Sequence, residues 1–124
     1  VTEPLPQRLA RLDRTKTVVI THYGRKSGKA YQVRIWFLVD GDDVFLCTMN
    51  MERQWTQNVR ANPKVTLRFD GAGDDVLEGE VSVVSDPAEM KRVVGLMKKK
   101  YLVARPYLWI KGQPDGAFRV HIKE

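Results

Sequence analysis

Within five residues, Arg25-Lys26-Ser27-Gly28-Lys29 brings together three cations and a hydroxyl, and Gly24 and Gly28 can open the backbone amides around them. Such a set suits phosphate or carboxylate oxygens, which take charge-assisted bonds from side chains and from amides in a tight turn. His22, His121 and Cys47 are the only soft metal ligands, and they lie in three separate predicted strands without a short ligand spacing, so no metal site is expected. Cys47 shares a face with Phe45, which predicts a buried thiol and not a nucleophile. His22 and His121 alternate with apolar neighbours and have no carboxylate close by in sequence, so they read as structural. No acid/base pair or nucleophilic triad emerges. What remains is the capacity to hold a ligand, and hydride-transfer cofactors are ligands that carry their own reactive atom and require orientation and field from the protein.

Charge is distributed in the same sense. The chain of 124 residues has a net charge of +6, and residues 1–34 hold eight cations against Glu3 and Asp13, so the whole excess lies there. A local surplus of this kind predicts an anion-facing surface. The composition, 43% apolar and 29% charged, fits one small domain over residues 1–124 with a core of its own. A single Cys excludes an internal disulfide framework and a Cys-rich zinc site. Residues 1–12 lack the apolar core of a secretory signal, and no uncharged stretch approaches the ~20 residues needed to cross a bilayer. The expectation is a cytoplasmic protein.

These groups must be positioned by a small set of elements. Leu5, Leu9 and Leu12 recur at helical spacing opposite Arg8, Arg11 and Arg14, predicting an amphipathic helix within residues 1–16. It packs over a barrel end or makes a peripheral membrane contact through residues 5–14, and packing is the simpler expectation. Thr17–Tyr23 and Tyr31–Val39 are β-branched and aromatic runs on either side of the cationic turn. In the second run Val33, Ile35, Phe37 and Val39 share one face, and Gln32, Arg34, Trp36 and Leu38 the other. Asp40-Gly41-Asp42 predicts a tight hairpin into Val44–Thr48. Met51, Trp55 and Val59 repeat every fourth residue, predicting a short helix that ends at Ala61 or Asn62, before Pro63.

Lys64–Phe69 alternates with Val65, Leu67 and Phe69 inward, and DGAGDD turns the chain into Val76–Val84 with Leu77, Val81 and Val83 inward. Asp86-Pro87-Ala88-Glu89 is a helix start with a cap, a proline at the first position and an acid behind it. Met90, Val93, Met97 and Tyr101 form that helix's apolar stripe, and Lys98-Lys99-Lys100 suit its C-terminal dipole. Phe118, Val120 and Ile122 close the chain as a last strand. Strands pair sequentially without βαβ alternation, which predicts an α+β, mainly β, fold: a single antiparallel barrel of about six strands with two or three covering helices.

The unit strand-GRKSGK-strand over Thr17–Val39, then VDGDDVFLCT, then Trp55-Thr-Gln-Asn58 leading into Ala61-Asn62-Pro63-Lys-Val65, resembles the deazaflavin-dependent nitroreductase family. That family belongs to the flavin-binding split β-barrels, which also include pyridoxamine 5'-phosphate oxidase. The likeness runs over about residues 15–122. It implies a split barrel that binds reduced coenzyme F420 and passes hydride to an apolar nitro, quinone or enone acceptor. By the same resemblance, Arg25, Lys26, Ser27, Gly28 and Lys29 contact the phosphate and the anionic tail. Thr48, Met49 and Asn50 line the ring and phosphate, and Trp55 and Asn58 shape the adjacent pocket. Trp36, Tyr107 and Trp109 are candidate substrate walls.

Two departures from the family pattern are visible. Only Met49–Gln54 joins the third strand to the Trp-x-x-Asn helix, where the family has a longer segment with a lysine, so either Arg53 replaces that lysine or the phosphate grip is lost. Arg34 occupies a position where the family often has proline, and beside a ring it would stabilise negative charge or favour a different ligand. FMN therefore stays open as the cofactor, in a relative of the same barrel that is often a homodimer with flavin between protomers. A non-catalytic cofactor-binding protein is a further alternative. A small basic barrel that binds nucleic acid is the least favoured alternative, and no nucleic acid is expected, because the surplus charge maps to one helix and one turn and does not track along a strand face.

Overall fold

A computed structural model of the chain describes residues 3–72, 75–101 and 114–123. The elements run α1 (Leu5–Leu12), β1 (Val18–Tyr23), β2 (Ala30–Ile35), β3 (Phe37–Asp40), β4 (Asp43–Thr48), α2 (Gln54–Ala61), β5 (Lys64–Phe69), β6 (Val76–Val83), α3 (Pro87–Lys100) and β7 (Gly116–Ile122). The strands form one sheet in the order β2-β1-β5-β6-β7-β4-β3, and every neighbouring pair is antiparallel. β2 and β3 are thus the two edges of the sheet, yet only Trp36 separates them in the chain. A seven-stranded sheet whose edges are joined by one residue has to curl until they nearly meet, which makes it a split barrel.

The expected single strand over Tyr31–Val39 is accordingly corrected to two. Its first half pairs with β1 (Val18↔Ile35) and its second with β4 (Phe37↔Leu46). Tyr101 holds the break: its hydroxyl accepts from the Phe37 amide at 3.2 Å and lies 2.8 Å from the Phe37 carbonyl and 2.6 Å from that of Lys16. The alternation of faces across the break follows the sequence. Val33, Ile35, Phe37 and Val39 join the barrel core, whereas Trp36 and Leu38 pack outside it with Val93, Met97 and Tyr101.

The interior is filled by inward residues of β1, β4, β5, β6 and β7, with Phe37 and Phe69 meeting edge-on at 5.0 Å. Leu9 and Leu12 of α1 are fully buried in the same cluster, so the helix packs on the barrel through its leucines. α2 contributes Trp55, which meets Phe118 edge-on, and Val59. That helix starts at Gln54 and not at Met51, because Met51–Arg53 form a turn in which the Arg53 amide bonds to the Asn50 carbonyl. α3 begins as expected, with the Asp86 carboxylate accepting from the Ala88 amide at 3.2 Å. In β6, Leu77 and Val81 face in, but Val83 is exposed, a correction. There the strand is ending, and it is the next residue, Val84, that bonds to Ala117 and packs on the outer cluster.

Strand directions alternate across the sheet, so β1 and β4 run the same way and finish at the same end of the barrel. The 24–29 turn, which follows β1, and the 49–53 loop, which follows β4, therefore open at the same end of the barrel. α2 lies over that rim between the loop and β5.

Candidate functional site

The turn between β1 and β2 is closed by its own backbone. The Gly24 amide donates to the Lys29 carbonyl at 2.9 Å, the Gly28 amide to the Gly24 carbonyl at 3.2 Å, and the Lys29 amide to Ser27 Oγ at 3.2 Å. Gly28 takes φ +71°, a conformation that side chains disfavour. Opening by the glycines thus applies to other amides than their own: those of Arg25, Lys26 and Ser27 have no partner among the described residues. The side chains of Arg25, Lys26 and Lys29 are exposed, and no carboxylate among the described residues pairs with any of them. Three of the other five cations in residues 1–34 do have carboxylate partners. Arg8 and Arg11 pair with Asp75, Arg11 also with Glu3, and Arg34 with Asp70 at 2.8 Å.

Arg25 is nonetheless anchored. Its Nη1 donates to Oδ1 of Asn58 on α2 at 2.9 Å, and Nδ2 of the same amide lies 3.1 Å from Nδ1 of His22 on β1. Asn58 and His22 are both buried. A guanidinium only donates, so it requires Oδ1 on its side and leaves the amide NH2 for His22, whose Nδ1 then accepts and whose proton sits on Nε2. Burial lowers the His22 pKa below its ordinary 6.5. His22 stacks on Tyr31 across the β1–β2 ladder at 5.9 Å, and Lys29 Nζ sits 5.9 Å from the centre of the Tyr31 ring. Two sequence candidates, Arg25 and Asn58, are thereby joined directly, and His22 and Tyr31, which carry no motif in the sequence, complete the cluster. The signal available for them was position: they flank the turn on the inward face of a hairpin.

The second part of the rim is the loop after β4. The buried Thr48 hydroxyl bridges both the amide and the carbonyl of Asn50 at 3.1 and 3.0 Å, and the Asn50 side chain accepts from the Glu52 amide. Met49 is half-buried, while Asn50 and Arg53 are exposed. Thr56 ties α2 to this loop through bonds to the carbonyls of Met51 and Arg53 at 2.5 and 2.8 Å. Trp55 is 6% exposed and its ring belongs to the core.

The remaining candidates stand elsewhere. Arg34 pairs with the Val19 position on β1, four residues from the Tyr23–Ala30 pair that opens the turn, or about 13 Å along the strand. Its guanidinium faces Asp70, which Thr17 also contacts at 2.6 Å. Trp36 stacks flat on Tyr101 at 4.6 Å on the outer side of the sheet. Tyr107 and Trp109 lie outside the described residues. Cys47 is packed against the outer cluster, and burial pushes its thiol up to about 12. Among the described residues no His, Cys, Asp and Glu gather into a metal site, and no helix is long and apolar enough to cross a membrane.

The family model for pyridoxamine 5'-phosphate oxidase matches residues 6–124. No curated protein matches the chain. Among solved structures, a conserved hypothetical protein of Mycobacterium tuberculosis superposes with a TM-score of 0.78 at 18% identity, over 100% of this chain and 83% of that one. An F420-H2 dependent reductase superposes with a TM-score of 0.66 at 23% identity, over 84% and 92%. An FAD-binding protein of Mesorhizobium loti gives 0.71 at 17% identity, over 95% and 85%. At these identities the likeness extends to the fold.

Proposed function

The chain belongs to the pyridoxamine 5'-phosphate oxidase family of flavin-binding split β-barrels, and on that footing we propose that it is an F420-dependent oxidoreductase acting on an apolar nitro, quinone or enone acceptor. The observation that carries the proposal is the turn: three cations without a carboxylate partner among the described residues, one of them braced by α2, next to three amides without acceptors. That donor set fits a coenzyme bearing a phosphodiester and several carboxylates. Reduced F420 would supply the hydride.

The chain's own residues have the other tasks. Arg25, held by Asn58, would take a phosphate oxygen from a fixed position, and Lys26 and Lys29 would follow the flexible anionic tail as mobile point charges. Arg53 adds a fourth cation at the same rim. Thr48, Met49 and Asn50 form a loop whose internal bonds set its shape before any ligand arrives, which limits the ordering cost of binding. A flavin nucleotide such as FMN is the other occupant these donors fit, since a phosphate is what they recognise.

Parallel titration with F420 and FMN separates the two. Quenching of F420 fluorescence at micromolar concentrations is expected, with Arg25→Ala weakening it roughly tenfold or more, the loss of one charge-assisted bond. A quinone and a nitroarene then test turnover. Saturable FMN binding without F420 binding would transfer the proposal to FMN, and binding of neither would end it.

A further inference from the structure

The function proposed above leaves one buried titratable group without a task. His22 is 3% exposed at the end of the inward face of β1, and its partner Asn58 is 1% exposed. Between them and Arg25 runs a polar chain with a fixed sense: guanidinium to Oδ1 at 2.9 Å, then amide NH2 to Nδ1 at 3.1 Å. The sense can be reversed only by breaking the bond to Arg25, because a guanidinium has no acceptor.

We infer that His22 is a positioning residue for the anion-binding turn: its Nδ1 lone pair orients the Asn58 amide, the amide holds the Arg25 guanidinium, and a proton on Nδ1 unlatches Arg25. The inference deepens the reading of the turn as the coenzyme's anion grip and rests on it. An imidazolium donates from both nitrogens, so the amide must turn its oxygen toward His22 and its NH2 toward Arg25. Two donors then face each other, and Arg25 loses its brace.

Among the described residues, no carboxylate pairs with His22 to hold it protonated. Across the ladder β2 places the Tyr31 phenol, with Lys29 beyond its ring. The turn contributes Arg25 through Asn58, and α2 contributes Asn58 itself. On the other side, the β1–β5 pairing reaches Thr21↔Thr66, and the next residue of β5 toward this end is the buried Val65, with the exposed Lys64 before it. The charged groups named here are cations, and burial lowers the His22 pKa. The latch is therefore closed near neutral pH and opens in acid.

The test compares F420 dissociation constants with and without Arg25→Ala at neutral and acid pH. Because the comparison is between variants at one pH, it cancels the general effect of added charge. A penalty of roughly tenfold at neutral pH should shrink severalfold, to what an unbraced cation contributes, once His22 is protonated. In His22→Gln, whose side-chain oxygen accepts from Asn58 at any pH, the penalty should persist at both. In His22→Phe it should be small at both, and Asn58→Ala should match it by breaking the chain from the other side. A penalty indifferent to pH, to His22→Phe and to Asn58→Ala overturns the inference. Nitrogen-15 NMR of the free protein gives an answer that needs no coenzyme. His22 should carry its proton on Nε2, and the Arg25 side-chain N–H should exchange slowly until His22 is replaced by Phe. An Nδ1-protonated neutral tautomer overturns the inference even where F420 binds. The expected tautomer in a protein that fails to bind F420 would leave the latch standing and remove the functional reading.

Discussion

The Cys47 thiol, pushed up to about 12 by burial, stays protonated throughout the physiological range and presents no thiolate for reaction. Maleimide or disulfide reagents should leave the native protein unmodified near neutral pH and react only as fast as it opens, which mass spectrometry with and without denaturant will show. His22 affects stability in a direction that can be worked out. Its folded pKa is lowered from 6.5, so above that value both folded and unfolded states are neutral and stability is full. As pH falls from 6.5 toward the folded value, the unfolded chain takes a proton that the folded chain refuses, and stability drops until the folded pKa is passed. Denaturant midpoints measured down that range should decline in the wild type and decline less in His22→Gln. Arg25 and Asn58 were legible in the sequence because they sit in short motifs. The role of His22 was not, because whether an imidazole is an idle core residue or an acceptor depends on which group the fold brings to Nδ1, and Asn58 is 36 residues away.

Among the elements, the break between β2 and β3 decides whether the sheet can curl. No glycine, proline or polar cluster marks it in Tyr31–Val39, which reads as one strand. The break is held by Tyr101, 64 residues on, whose hydroxyl takes both backbone groups of Phe37 into its reach. Local pattern therefore shows the alternation of faces correctly but cannot show which neighbour each half pairs with. Tyr101→Phe removes the acceptor of the buried Phe37 amide and the donor to the Lys16 or Phe37 carbonyl. A loss of ~1–3 kcal/mol is expected in equilibrium unfolding, with the Trp36 stack and its near-ultraviolet circular dichroism retained. β6 has a comparable constraint at Gly79, where an added Cβ would stand 2.6 Å from Val120 Cγ1 and 2.8 Å from the His121 carbonyl oxygen of β7. Backbone on one side cannot yield cheaply, so Gly79→Ala should cost ~1–3 kcal/mol as overpacking. Val83 failed the inward alternation for the reason that a strand's last residues follow the exit of the chain more than the pleat.

At the scale of the whole molecule, the fold sorts a charge surplus that the sequence shows only as a sum. Arg8 and Arg11 of α1 are neutralised by Asp75, and Arg34 by Asp70, all away from the rim that carries the turn. Lys100 is likewise engaged, 3.0 Å from Asp13 and over the Phe37 ring. Arg25, Lys26 and Lys29 at the turn have no such partner among the described residues, so their positive charge is left uncompensated where β1 ends. The surplus was legible from residues 1–34, but its division was not, because the pairing acids Asp70 and Asp75 lie far along the chain. This division separates two effects of neutralising arginines and lysines. Removing charge at the turn, as in Arg25→Ala with Lys26→Ala and Lys29→Ala, should weaken F420 binding and flatten its dependence on salt, since screening acts only on attraction that is present. Removing it at α1, as in Arg8→Gln, should lower the thermal midpoint by leaving Asp75 with Arg11 alone while F420 affinity and its salt slope stay as in the wild type. Affinities at several ionic strengths for both variants decide the matter. Equal slopes for the triple variant and the wild type would mean that the anion is held elsewhere.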